Sequence, residues 1–144
     1  NGDVDKRKSS FFEGEIKIME LTINGNVYQF SFNIGFLRNI NKTIAVDVDG
    51  MDGVKRNVGL RYSVGLLLDG DLETLVDVLE LANKGQNPRL TKKAIEDYID
   101  NADTDVDEAF GSVIEGLKQA NATKKATLAT IEAIEKAQAE QETK

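Results

Sequence analysis

No cysteine, no histidine and no tryptophan occur among the 144 residues, and proline appears once. Without Cys there can be no disulfide and no thiolate nucleophile. Without His the chain lacks the side chain that titrates near neutral pH, and with both missing the common zinc sites cannot be built. Basic residues are the minority, 18 Lys and Arg against 25 Asp and Glu, which leaves a net charge of −7. Phosphate backbones and anionic headgroups attract basic surfaces, so neither nucleic acid nor a membrane is expected as a partner. No apolar run is long enough to span a bilayer, and no signal-peptide pattern opens the chain. The lack of Cys suits a reducing cytoplasm. Carboxylates, lysines and hydroxyls remain available for catalysis, but nothing supports it, and no cofactor is expected.

What is present fits one domain. The length allows a real core, and 40% hydrophobic with 30% charged residues is ordinary for a globular chain. Residues 19–32, "MELTINGNVYQFSF", are patterned as a hairpin. Asn24-Gly25 suits a type I′ turn, which would pair Ile23 with Asn26, Leu21 with Tyr28 and Met19 with Phe30. One face would then carry Met19, Leu21, Ile23, Tyr28, Phe30 and Phe32. The other would carry Ile18, Glu20, Thr22, Val27, Gln29 and Ser31. A lone hairpin is marginal in water, so helices must cover its apolar side.

Residues 1–18 look unlike the rest and are read as a translated leader or an appended segment, with Met19 as the expected natural start. Residues 33–42 offer a short helix at best, through Ile34, Leu37 and Ile40. Residues 43–57 read as a loop with a brief β-like run at Ile44–Val46. In 58–71, Leu60, Val64, Leu67 and Leu68 share one side of a helix while Tyr62 and Leu66 point elsewhere, the pattern of a central helix. Asp69-Gly70-Asp71 breaks it and caps the next. That helix lines up Leu72, Leu75, Val76, Leu79 and Ala82, leaves Leu81 off the stripe, and stops near Gly85. Thr91 caps a short helix with Ala94, Ile95, Tyr98 and Ile99 inward. Asp105 with Glu108 starts the cleanest amphipathic helix, with Val106, Phe110, Val113, Ile114 and Leu117 on one face. Residues 123–144 are rich in Ala, Glu and Lys. Leu128, Ile131 and Ile134 recur every three residues, neither a core stripe nor a heptad seam, so a loosely attached helix-prone tail is expected.

The candidate metal sites fail on spacing. "DVDGMDG" (47–53) and "DNADTDVDE" (100–108) both miss the EF-hand pattern, and a solvated turn and a capped helix start account for them. Gly50 and Gly53 form no phosphate loop. Carboxylate pairs sit on wet helix faces, with few aromatics to line a sugar cleft. What remains is apolar surface. Tyr62, Leu66 and Leu81 are open to two readings, partner contacts or core residues with unplaced neighbours. Leu128, Ile131 and Ile134 read as partner contacts, since their spacing does not explain them as core.

The expected architecture is therefore α+β: an N-terminal antiparallel β-hairpin packed by about four helices over residues 19–122, plus the tail. The order of the pieces "MELTINGNVYQFSFNIGFLRNINK", "GLLLDGDLETLVDVLELA" and "DVDEAFGSVIEGLKQAN", ending in a polar tail, resembles the tail assembly chaperones of long-tailed phages of Gram-positive bacteria. The likeness lies in pattern and order rather than in an invariant motif. It implies a non-enzymatic protein made in the host cytoplasm during assembly. Such proteins bind the tape measure protein, keep it soluble, help recruit tail tube protein, and are absent from the mature virion. It carries over no catalytic residues and no binding motif sharp enough to transfer by position, and self-association stays open. Many family members also have a frameshifted longer product, and this chain looks like the short one. The rival readings are a structural virion subunit, such as a head–tail connector or tail component, and a small carboxylate hydrolase.

Overall fold

Asn24 and Gly25 both adopt positive φ, 54° and 80°, and turn the chain between β1 (Met19–Ile23) and β2 (Asn26–Phe30). A turn with both central residues at positive φ matches the twist of the flanking strands, and the register follows from it: Met19 opposite Phe30, Leu21 opposite Tyr28, Ile23 opposite Asn26. The computed structural model describes residues 18–142, so the reading of 1–18 as a leader lies, Ile18 apart, outside the described residues. Ile23, Phe30 and Phe32 are buried, and Met19, Leu21 and Tyr28 pack partly against the core. Ile18 and Val27 point to solvent, as the pleat requires. Ser31 departs from its wet-face expectation. It lies past the strand end and is buried, with its N–H donating to the Ala82 carbonyl at 2.8 Å.

Six helices follow among the described residues, where about four were expected. They are α1 (Ile34–Asn41), α2 (Gly59–Leu68), α3 (Leu72–Asn83), α4 (Lys92–Asp100), α5 (Val106–Gln119) and α6 (Lys124–Glu142). The two additions are the short segment after the hairpin and the tail. Asn33, Asp71, Thr91 and Asp105 each accept a hydrogen bond from the N–H three residues on, satisfying donors that a helix start leaves free. A second hairpin, β3 (Ala45–Asp47) with β4 (Lys55–Asn57), stands where a loop with a brief β-like run at Ile44–Val46 was expected; β3 overlaps that run and β4 is the addition. Its strands have only three residues each and almost no buried side chain, so hydrophobic alternation could not announce it. Gly50 and Gly53 at positive φ shape its tip, and Asp47 pairs with Lys55 across the ladder.

Helix α2 is the hub, in contact with α1, α3, α5 and α6, while β2 meets α3 and β1 meets α5. Leu60, Val64, Leu67, Leu75, Val78, Leu79, Val113 and Leu117 form the centre of one core with the hairpin. Phe32 and Phe36 meet edge to face at 5.1 Å within it. Two leucines expected in that core are not: Leu68 and Leu72 are 41% and 45% exposed. They flank the turn at Asp69–Asp71, where an open groove separates them from the facing residues of α5.

The tail does not hang free over its first turns. Thr123 and Thr127 are fully buried, Ala126 and Ile131 pack on the core, and α6 lies along α2 and α5. Its inward residues are Thr123, Thr127, Ile131 and Ile134, a stripe spaced by four, four and three. Small Thr and Ala side chains let the helix approach closely, and a count of large apolar residues overlooks them. No helix among the described residues is long and apolar enough to cross a membrane.

Candidate functional site

The six residues singled out from the sequence separate into three environments. Tyr62 and Leu66, one turn apart on α2, are 51% and 42% exposed. They line an open apolar hollow of about 330 Å³ with Arg61, Gly65, Thr130 and Ile134. Gly65 shapes it: with no side chain there, a Cβ would first meet Ile134 Cδ1 at 3.9 Å. Arg61 Nη1 reaches Thr130 Oγ1 at 3.5 Å on the rim. Ile134 is half-buried in this hollow, and Ile131 is partly buried against the core. Leu128 projects from the far side of α6, 47% exposed. Leu81 belongs elsewhere. It is half-buried against the core on α3 and shares no surface with the hollow.

A second apolar hollow escaped the sequence reading. Leu67, Leu68, Gly70 and Leu72 from the α2–α3 corner face Val106, Asp107, Phe110 and Ile114 of α5 across an open groove of about 390 Å³. Its apolar side chains read as parts of helix core stripes, because helical periodicity reports which side is apolar, not whether a neighbour covers it. The signal available was the Asp-Gly-Asp break, which ends both helices beside their apolar sides.

Electrostatics around these surfaces is that of a solvated acidic protein. The Asp71 carboxylate is held below the usual range by the Thr74 hydroxyl and N–H, which both donate to it. Burial pushes the Tyr98 phenol up, with Glu108 and Asp105 adding to the effect. Lys92 and Lys93 are shifted up by hydrogen bonds to Asp77 and Asp97. Among the described residues no group of three or more Asp or Glu could hold a metal ion. What these two hollows can do is bury apolar side chains of another molecule.

Residues 20–137 match the family model described as phage tail assembly chaperone protein, TAC. No curated protein and no solved structure matches the chain.

Proposed function

Because this chain belongs to the phage tail assembly chaperone family, we propose that it is the carrier of a tape measure protein. It holds that client soluble in the host cytoplasm and helps bring tail tube subunits to it. The carrier works by covering apolar surface and makes or breaks no covalent bond. A long helical client with apolar stripes would self-associate if left bare, and an amphipathic helix seats naturally in an apolar groove. The observation that supports this reading is the hollow where exposed Tyr62 and Leu66 meet Ile134. A contiguous apolar patch of that kind, rimmed by polar groups, is the usual mark of a protein contact. Net charge −7 adds a second property, since coated complexes repel one another. Several weak contacts along one client would combine through avidity. The expected setting is a long-tailed phage or prophage of a Gram-positive host, with the protein absent from mature virions.

Co-expression with the tape measure protein of the same genome tests the reading. The client should move from the insoluble to the soluble fraction and co-purify with the chain. Unchanged client solubility overturns it. Detection of the chain at stoichiometric level in purified virions by mass spectrometry would instead establish a structural subunit.

A further inference from the structure

We infer that the groove between the α2–α3 corner and α5 is the site for an amphipathic helix bearing Lys or Arg beside its apolar stripe. This rests on the carrier reading and adds where, and by what chemistry, a client segment is chosen. Leu67, Leu68 and Leu72 form one wall, and Val106, Phe110 and Ile114 form the other. From Val106 to Ile114 the α5 wall runs about 12 Å, the length of two helical turns. That accommodates apolar residues at i, i+3 or i+4, and i+7 of a guest helix.

The charge around the groove selects the guest. Residues 68–72 contain Asp69 and Asp71, residues 106–114 contain Asp107 and Glu108, and neither stretch contains a Lys or Arg. Asp107 lines the groove itself, and Asp69 and Asp71 flank Gly70 at its edge. Among the described residues neither Asp69 nor Asp107 has a cationic partner. Elsewhere this chain does pair its acids, Asp77 with Lys92 and Asp97 with Lys93. An apolar floor with an unneutralised acidic rim complements an apolar stripe flanked by cations and repels an acidic one. A second copy is the poorer guest, because each chain carries net charge −7.

The test uses the full chain and two synthetic helical peptides of about 18 residues with the same leucine stripe, one flanked by Lys and its twin by Glu. Amide shifts caused by the Lys peptide should centre on Leu68, Leu72 and Phe110, and the Glu twin should bind at least about tenfold more weakly. The double variant D69K/D107K, whose sites are exposed, should lower affinity for the Lys peptide by about tenfold or more and raise it for the twin. Leu72→Ser should weaken both. Equal binding of the two peptides overturns the inference. So do shifts centred on Tyr62, Leu66 and Ile134, and so does a dimer in sedimentation that Leu72→Ser converts to monomer. Wild-type chain that solubilises the tape measure protein while D69K/D107K and Leu72→Ser do so equally well overturns the groove alone. Failure of the wild type in that assay overturns the carrier reading.

Discussion

Asn83 Nδ2 donates to the backbone carbonyl of Gln29 at 2.9 Å, tying the last turn of α3 to β2 across 54 positions of chain. The same amide donates to the Pro88 carbonyl, and Asn83 Oδ1 accepts from Arg89 Nη1 and from the Leu90 N–H. Both donors and both acceptor positions of the carboxamide are used, in a side chain that is wholly buried. Asn83→Ala should therefore cost about 3 kcal/mol, because partner groups are left unsatisfied in the interior. Asn83→Leu should not rescue it. Urea unfolding followed by circular dichroism measures both, and a cost under about 1 kcal/mol would contradict this account.

Gly111 and Gly116 lie on the same helix and should respond oppositely to alanine. A Cβ at Gly116 would sit 2.4 Å from Phe32 Cε2, whereas one at Gly111 meets nothing within 4 Å among the described residues. Gly116→Ala should destabilise by about 1–3 kcal/mol through overpacking against the hairpin. Gly111→Ala should stabilise by about 0.5–1 kcal/mol by restricting the unfolded chain and favouring helix. The difference in thermal midpoint between the two variants is the readout.

Thr127 is buried, and among the described residues its Oγ1 has no hydrogen-bond partner, unlike Thr123, whose hydroxyl donates to the Leu117 carbonyl at 2.7 Å. Thr127→Val keeps the shape and removes the unmet hydroxyl, so it should stabilise the chain by about 1 kcal/mol. Thr123→Val should instead be neutral or destabilising. Calorimetry of the two variants separates them.

Asp71 caps α3, and its carboxyl titrates below the ordinary aspartate range because Thr74 donates to its charged form. A folded-state pKa below the unfolded one gives stability that is present above the unfolded value and lost as pH falls through the folded value. Asp71→Ala should lower the midpoint at pH 7, and the gap to wild type should close as pH falls below about 4. A gap that persists unchanged at about pH 2 would assign the effect to packing instead.

The surface candidates should divide by function and stability. Tyr62→Ser with Leu66→Ser should change unfolding free energy by less than about 0.5 kcal/mol per site, since both side chains are exposed. The pair should nonetheless reduce recovery of soluble tape measure protein in co-expression. Leu81→Ala should cost about 1.5 kcal/mol, because that side chain is packed against the core.

Short-range chemistry made several features legible in the residues themselves. Asn24-Gly25 permits two positive φ values, so turn and register follow with no reference to the rest of the fold. Asp71, Thr91 and Asp105 announce helix starts because capping spans only three residues. Ile95, Val113 and Leu117 declare the inner faces of α4 and α5 by helical spacing alone.

Which apolar faces are covered is a different kind of question, since it depends on neighbours distant in the chain. Leu75 and Leu72 share one stripe, yet Leu75 is fully buried and Leu72 opens onto the groove opposite Phe110. The docked half of α6 rests on Thr123 and Thr127, whose small side chains carry little hydrophobic signal but permit close approach to α2. Asn83 reads as a polar helix end, and only the convergence of β2 and the 88–90 loop makes it a buried junction. Local backbone geometry and periodicity were fixed by the amino acids in order. Burial, and with it the two open hollows, was decided by tertiary packing, because a side chain loses contact with water only when another segment arrives to displace it.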